Sequence, residues 1–232
     1  MAIATWWRED PLPTLAPLAD FRVELSSDFS ALAELNRISI NEVEARYAAG
    51  NRAYIAFFQD QPVAYGWVAT AQISIGELAL DRPLSPRDRY LWDFATLPAW
   101  QGRGFYPRLL QAILRQEQSD AERFWIIYAP ENLPSSAGMR KAGFRTVADL
   151  SFDRQQRVQL APMGELARAQ SAAELLGLPL AEQELAPCWS CQSQEASSCW
   201  PEDPALENEG CCCSIQPQSS VSALAVLEQA HA

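Results

Sequence analysis

The sequence predicts an α+β domain built on a mixed central sheet, followed by a long polar extension. Apolar residues recur along residues 21–160 in an order typical of a strand, two helices, three strands, a helix, a strand, a helix and one or two final strands. Hydrophobic residues make up 48% of the 232 residues, which is a globular composition. This patterning stops near residue 165, so we predict a folded domain over residues 1–165 and an extension over residues 166–232.

The first part of the domain contains an alternating strand and two capped helices. Residues 1–20 carry three prolines, which disfavour a helix, so we predict an irregular segment there. Residues 21–25 alternate apolar and polar side chains, as a half-buried strand does. The polar residues 26–28 supply an N-cap for a helix over residues 29–38, and a second short helix is predicted over residues 41–49.

Three strands are predicted next. Two apolar strands cover residues 52–58 and 62–69, and the linker between them is short enough for a tight hairpin. Residues 70–89 contain two prolines and are predicted as a less regular loop. The third strand covers residues 90–97 and ends at Pro98, because proline cannot donate to a sheet ladder.

The last part of the domain alternates helices and strands. A helix over residues 104–118 carries apolar residues at helical spacing. Residues 124–129 are almost entirely apolar, as expected for a strand buried on both faces. A short helix over residues 134–142 ends at a glycine suited to the left-handed cap. The final strands are predicted over residues 144–150 and 156–160.

The charge distribution excludes some classes of partner. The net charge is −11, and residues 166–232 contain one basic residue, Arg168, against nine acidic ones. Such a chain lacks the clustered lysines and arginines that nucleic-acid phosphates require. No run approaches the roughly 20 apolar residues that cross a bilayer, and the first residues lack the pattern of a secretory signal. We therefore expect a cytoplasmic protein that binds neither nucleic acid nor membranes.

The extension is rich in cysteine. All six cysteines lie between Cys188 and Cys213, which excludes a disulfide framework in the first 187 residues. From residue 179 onward Gln, Ser, Glu, Pro and Cys predominate, so we predict a largely disordered tail. Within the extension, residues 165–176 and 221–230 have helical patterns.

The cysteine spacing permits three interpretations of this tail. Cys188 and Cys191 have the spacing of half a metal site, but no second matched pair follows, and we assign no metal ligands. The tail binds a soft metal or responds to redox state, or it is a modified or substrate-like peptide, or it has no fixed role.

The strand over residues 91–97 leads into a loop with two glycines, and a helix begins at once. The first N–H groups of such a helix have no partner within it and lie at the positive end of its dipole. Gly102 and Gly104 allow an anion to approach the backbone, and Arg103 and Arg108 add positive charge. The segment therefore suits a phosphate or pyrophosphate, although a turn that simply needs two glycines has the same pattern.

Two motifs in this region occur in order. The first is Leu97-Pro98-Ala99-Trp100-Gln101-Gly102-Arg103-Gly104, and the second is Asn132 followed by Lys141-Ala142-Gly143-Phe144, with Asn132 lying 30 residues after Gly102. Together they resemble the pyrophosphate loop and the following Asn and Gly-Phe motif of the GNAT superfamily of N-acetyltransferases. The resemblance covers about residues 21–160, and two motifs at the right separation are more specific than either alone.

The resemblance implies a fold, a co-substrate and a set of binding residues. The fold would be a mixed, mostly antiparallel sheet flanked by helices and splayed open between its fourth and fifth strands, and the co-substrate would be acetyl-CoA. Backbone groups would pair with the pantetheine arm at Phe94, Ala95, Thr96 and Leu97. The pyrophosphate would be held in the loop that begins at Gln101, by backbone N–H groups of Gly102, Arg103, Gly104 and Phe105. Asn132 would contact the coenzyme or an ordered water.

The resemblance also implies a carboxylate base on or near the fourth strand. Asp93 is the candidate catalytic residue, and it would accept the proton of the amine, often through water. Its alternative role is that of a strand carboxylate paired with a neighbouring arginine or a backbone donor. Glu131 and Glu77 are weaker candidates.

The chain departs from the family pattern at two places near the chemistry. Tyr106 stands where the family usually has Gly or Ala, and Met139 stands where it usually has a tyrosine that acts as general acid. A thioether cannot donate a proton. Tyr128 and Tyr106 are possible replacements.

Three functions are compatible with these residues. The first is an N-acetyltransferase that acetylates a primary amine of a small molecule or peptide. The second is a non-catalytic module or sensor that binds acyl-CoA. The third places a metal or thiol function in the cysteine-rich tail. The partners are therefore acetyl-CoA and an amine acceptor that no motif identifies.

Overall fold

The structure is a computed structural model that describes residues 1–181. The cysteine motifs at 188–213 and the helical pattern at 221–230 lie outside the described residues. Within residues 1–181, no helix has the length and apolarity needed to cross a bilayer.

In the described part of the chain, eight strands form one large sheet and two more form a separate hairpin. The sheet strands are β1 (Ala2–Trp7), β2 (Phe21–Ser26), β3 (Asn51–Phe58), β4 (Gln61–Ala69), β7 (Asp88–Thr96), β8 (Arg123–Tyr128), β9 (Arg145–Phe152) and β10 (Val158–Pro162). The hairpin consists of β5 (Gln72–Ile75) and β6 (Leu80–Pro83). The strand order in the sheet is β10-β9-β1-β8-β7-β4-β3-β2, and every pair is antiparallel except β7–β8.

Five α-helices accompany the sheet within residues 1–181: α1 (Phe29–Asn36), α2 (Ile40–Ala48), α3 (Phe105–Glu117), α4 (Leu133–Ala142) and α5 (Leu166–Leu176). The side chains of Asp28 and Ser39 accept hydrogen bonds from backbone N–H groups in the first turns of α1 and α2, and these bonds satisfy otherwise unpaired donors. Gly143 ends α4 in the left-handed conformation. These helices confirm the predicted α+β class.

The helices lie on opposite faces of the sheet. Tyr54 of β3 belongs to the same buried cluster as the apolar stripe of α3, whereas its neighbour Ile55 packs with α1 and α2. Because successive strand residues point to opposite faces, α3 and α4 cover one face and α1 and α2 cover the other.

β1 is a central strand, so the prediction of an irregular segment over residues 1–20 is wrong for residues 2–7. β1 pairs with β8 on one side and with β9 on the other. Its Trp6 is only 1% exposed. A strand buried on both faces is a continuous apolar run, which has no alternation to detect. The prolines that disfavour a helix begin only at Pro11.

Two further elements differ from the predictions. The segment predicted as a loop over residues 70–89 contains the β5–β6 hairpin. The alternation of β5 covers only Gln72–Ile75, and its partner β6 (Leu80–Pro83) shows none. Helix α5 belongs to the folded body, because Ala169, Ala172 and Leu176 are buried. The body therefore extends through residue 181, beyond the boundary predicted at residue 165.

The sheet opens between β7 and β8. Pairing between these strands covers Asp88–Leu91 against Arg123–Ile126 and then stops. Beyond Leu91, β7 continues only beside β4, where the register shifts between Tyr65 and Trp67. Asp93 lies at this shift in a left-handed conformation, with φ 49°, so a β-bulge marks the point where the strands part. β7 and β8 correspond to the fourth and fifth predicted strands, over residues 90–97 and 124–129. The opening therefore lies where the family resemblance predicts it.

Candidate active site

The glycine loop and the start of α3 form one end of the opening. Gly102 and Gly104 both have φ 75°, a conformation that glycine adopts without strain. Gly104 is the N-cap of α3 and supplies no side-chain hydrogen bond. The first N–H groups of α3 are therefore left to an external acceptor, which suits an anion.

The predicted loop residues are brought together here. Gln101, Gly102 and Arg103 are exposed, and Phe105 is buried beneath them as the first residue of α3. Gln101 donates through Nε2 to the carbonyl oxygen of Thr96, so its side chain ties the loop back to β7. Arg103 lies over the ring of Trp100, with 4.9 Å from the guanidinium carbon to the ring centroid.

The end of β7 provides a free backbone edge. Ala95 and Thr96 pair with Tyr65 and Ala64 of β4. On the opposite side, no described strand pairs with β7 beyond Leu91. An extended chain of amides can bond to such an edge as an added strand would. Binding of a pantetheine arm by the four residues from Phe94 to Leu97 stays a prediction.

Two aromatic rings pack together where β7, α3 and α4 meet. Phe94 lies over Gly66, where an added Cβ would be 2.1 Å from the ring. Tyr106 lies edge-on to Phe94, with 5.8 Å between ring centroids, and covers Gly138 of α4. Burial raises the pKa of Tyr106 to about 12, and its hydroxyl is hydrogen-bonded to the side chain of Ser135.

The start of α4 presents Asn132. Its Oδ1 accepts a hydrogen bond from the backbone N–H of Ser135 at 3.1 Å, so Asn132 caps the helix. Its side chain is exposed. Met139 is buried in the core at 2% exposure. Tyr128 shares a hydrogen bond of 2.7 Å with the hydroxyl of Thr146 on β9.

Asp93 is paired with an arginine. Its carboxylate accepts a hydrogen bond from Nη1 of Arg46 at 2.5 Å, and its side chain is 34% exposed. Arg46 also donates to Glu42 at 2.9 Å. Its guanidinium lies over the rings of Trp67 and Trp92, at 5.0 and 4.7 Å. The sequence suggested that an arginine pairs with Asp93 but did not identify it, because Arg46 lies on α2, which is distant from Asp93 along the chain.

The weaker carboxylate candidates lie elsewhere. Glu131 is exposed in the loop before α4. Glu77 is exposed in the turn between β5 and β6. Burial raises the pKa of Tyr90 to about 12, and the negative charge of Glu77 adds a smaller rise.

A cavity of about 430 Å³ lies between α2, the β5–β6 hairpin and the sheet. This volume is within the range of small-molecule sites. Its lining residues are Glu42, Ala45, Arg46, Ala49, Asn51, Ala69, Gln72, Ser74, Tyr90 and Trp92. Arg46 and Trp92 connect the cavity to Asp93. This cavity was not predicted from the sequence, because its lining residues come from separate elements and no sequence motif connects them.

A buried ionic cluster holds the far end of α3. Glu117, which is 1% exposed, accepts hydrogen bonds from Arg52, Arg89 and the Tyr54 hydroxyl at 2.6–2.9 Å. Burial alone would raise the pKa of Glu117, but these hydrogen bonds outweigh it and lower the pKa. The cluster ties α3, and hence the glycine loop at its other end, to β3 and β7.

The family model of the Acetyltransferase (GNAT) family matches residues 18–144, which is more than half of the chain. The chain belongs to the GNAT family of acetyltransferases. This match confirms the resemblance carried by the glycine loop and the Gly-Phe motif. No curated protein matches the sequence.

Comparison with solved structures finds acetyltransferases at low sequence identity and with TM-scores below 0.5. One is an acetyltransferase from Bacillus subtilis in complex with CoA, with 18% identity and a TM-score of 0.44, covering 57% of this chain and 81% of that chain. Another is the aminoglycoside acetyltransferase AAC(6')-Ib in complex with coenzyme A and kanamycin, with 17% identity and a TM-score of 0.46, covering 66% of this chain and 99% of that chain.

Proposed function

We propose that this GNAT protein transfers an acetyl group from acetyl-CoA to a primary amine of a small molecule or peptide. The observation that carries the proposal is the opening between β7 and β8, which ends at an uncapped helix N-terminus behind two left-handed glycines. This arrangement combines a free strand edge for a chain of amides with backbone donors for a diphosphate.

The coenzyme-binding residues follow from this arrangement. N–H groups from Gly102 to Phe105 hold the diphosphate, and the backbone from Phe94 to Leu97 pairs with the pantetheine arm. Asn132 has its Oδ1 engaged as a helix cap, so its Nδ2 is the group that remains for the coenzyme or a water.

The acceptor occupies the cavity beside α2, and Asp93 receives its proton. An amine attacks the acetyl carbon only in its neutral form, so a base must remove the ammonium proton. Asp93 lies at the bulge that joins the opening to Arg46 and Trp92 of the cavity wall. Because Arg46 pairs with the carboxylate, the proton reaches Asp93 through the side that this ion pair leaves exposed, directly or through water.

Calorimetry with acetyl-CoA tests the coenzyme site. We expect saturable binding by the full chain and a large loss of affinity in Gly104→Val, because a β-branched residue cannot adopt φ 75° without strain. Gly76→Val is the control, since an added Cβ at Gly76 contacts nothing. Absence of binding at high protein concentration would refute the proposal.

A thiol-release assay over a panel of amines tests the reaction. We expect turnover with at least one amine, and a fall in kcat of roughly 100-fold in Asp93→Asn. Glu131→Gln is the matched control, because its exposed carboxylate lies outside the cavity lining. Unchanged turnover in Asp93→Asn would remove this residue from the mechanism.

The second candidate function is an acyl-CoA-binding module without catalysis. The buried thioether of Met139, at the position of the family's usual general acid, favours it. Tight acetyl-CoA binding without acetylation of any amine in the panel would support the module.

A function of the cysteine-rich tail remains a separate hypothesis, and metal analysis of the full chain beside a 1–181 truncation tests it.

A further inference from the structure

The cavity beside α2 contains a buried hydroxyl that has no hydrogen-bond partner. Tyr90 of β7 lines this cavity and is only 8% exposed. Within residues 1–181 its hydroxyl makes no hydrogen bond to any side chain or backbone group. Buried polar groups nearly always have such a partner. The Tyr90 hydroxyl is therefore available to a ligand in the cavity.

The hairpin end of the cavity carries negative charge. Glu77, in the turn between β5 and β6, lies close enough to Tyr90 for its charge to act on the hydroxyl. Asp81 of β6 accepts a hydrogen bond from Nε2 of Gln72 at 3.2 Å, and Gln72 lines the cavity. In the described part of the chain, neither Glu77 nor Asp81 forms an ion pair. Both carboxylates are therefore free to act on a bound cation.

The one arginine in the lining does not neutralise this charge. Arg46 is the only basic residue that lines the cavity within residues 1–181. Its guanidinium is already shared between Asp93 and Glu42. Arg37 also acts on this face, at Tyr65, but lies outside the lining. With the two hairpin carboxylates, four negative charges surround the cavity against the single positive charge of Arg46.

We propose that the acceptor carries a second positively charged group, bound at the hairpin end of the cavity by Tyr90, Glu77 and Asp81. This inference rests on the proposed function, in which Asp93 receives the proton of the reacting amine. The Tyr90 oxygen accepts a hydrogen bond from the distal ammonium group, and the two carboxylates supply the opposite charge.

The spacing along β7 sets the length of such an acceptor. Tyr90 lies three residues before Asp93, which is at most about 10 Å along a strand that rises about 3.3 Å per residue. An extended six-carbon chain with an amine at each end spans a comparable length. The substrate class is therefore a diamine of about this length.

Three amines with the same chain length but different distal charges test the inference. Hexamethylenediamine has a distal positive charge, hexylamine has none, and ε-aminocaproate has a negative one. Calorimetry measures the Kd of each for the full chain saturated with coenzyme A. We expect the diamine to bind about tenfold more tightly than hexylamine and ε-aminocaproate to bind most weakly. The preference should shrink at high salt, because exposed carboxylates are screened.

Substitutions test which residues cause the preference. We expect the ratio of the hexylamine Kd to the diamine Kd to fall about threefold in Asp81→Asn and in Glu77→Gln, and about fivefold in Tyr90→Phe. The control is Glu44→Gln, an exposed carboxylate of α2 outside the cavity lining, which should keep the wild-type ratio. A ratio of Kd values cancels any general effect of a substitution on folding.

The outcomes separate this inference from the proposed function. If hexylamine or ε-aminocaproate binds as tightly as the diamine, or if Glu44→Gln lowers the ratio as much as Asp81→Asn, the inference is overturned. Acetylation of hexylamine would then still support the proposed function. Failure of the wild-type protein to bind coenzyme A would refute the proposed function, and the inference with it.

Discussion

Replacing Glu117 by glutamine should destabilise the protein strongly, although the two side chains have the same shape. The substitution removes the negative charge that faces Arg89, whose side chain is 5% exposed. Arg89 keeps hydrogen bonds to the carbonyl oxygens of Pro86 and Asp88, but its charge has no counterion left. An unpaired buried charge of this kind costs about 3 kcal/mol.

The other partners of Glu117 add little to this cost. The Arg52 side chain is 41% exposed and can turn to water, so its contribution is that of a surface pair, about 0.5 kcal/mol. The Tyr54 hydroxyl still finds an amide oxygen. We therefore expect a loss of about 3 kcal/mol in the free energy of unfolding and a fall in Tm of about 6–12 °C.

Urea unfolding followed by tryptophan fluorescence measures this loss. Glu122→Gln is the control, because its ion pair with Arg87 is exposed and is expected to contribute less than about 1 kcal/mol. The double variant Glu117→Leu with Arg89→Met should recover much of the stability, since neither charge is then left alone. A single variant within 1 kcal/mol of wild type, or a double variant as unstable as the single one, would contradict the reasoning.

Three further predictions concern the same body. The folded-state pKa of Glu117 lies below its ordinary value of 4.5. The contribution of this carboxylate to the free energy of unfolding is therefore present above pH 4.5 and is lost as pH falls through the lowered pKa. We expect Tm to vary less between about pH 3 and 7 in Glu117→Gln than in the wild-type protein. Gly138→Ala should cost about 1–3 kcal/mol by urea unfolding, because the new Cβ meets Tyr106 at 2.4 Å. Arg168→Gln should cost about 2 kcal/mol and speed proteolysis before α5. The Asp10 carboxylate, which is 6% exposed, then keeps only the backbone N–H of Trp7 and a 3.7 Å ion pair with Arg145.

Each of these has an outcome that would contradict it. A pH profile of Tm with equal slope in wild type and Glu117→Gln would show that the carboxylate is not linked to stability. Gly76→Ala, where an added Cβ contacts nothing, should be neutral, and an equal loss at Gly138 and Gly76 would point to glycine itself rather than to Tyr106. Unchanged proteolysis in Arg168→Gln would mean that apolar packing alone holds α5.

The elements with local signals could be predicted from the sequence. The cap at Asp28, the apolar stripe of α3 and the left-handed Gly143 each determine structure within one turn of themselves. β1 has no such signal, because the alternation that marks a half-buried strand is absent from a strand buried on both faces. Its place in the sheet is set by β8 and β9, which are distant in sequence.

The residues of the candidate site also fall into those with a local sequence signal and those without one. The glycine loop was predictable because Gly102 and Gly104 lie on one short segment. The partner of Asp93 was not, because Arg46 reaches it from another helix across a cavity wall. The contact between Tyr106 and Gly138 also joins two helices, so the sequence alone shows Tyr106 only as a departure from the family pattern.

The position of β1 has a kinetic consequence. Ala2 pairs with both Tyr128 and Asp149, so β1 is the strand that joins β9 and β10 to the rest of the sheet. It is synthesised before either neighbour: β8 is complete only when residue 128 has been made, and β9 only when residue 152 has been made. Pairings of such long sequence separation form slowly. If β1 docks before the transition state, substitutions in β1 will mainly slow folding. If it docks afterwards, they will mainly speed unfolding.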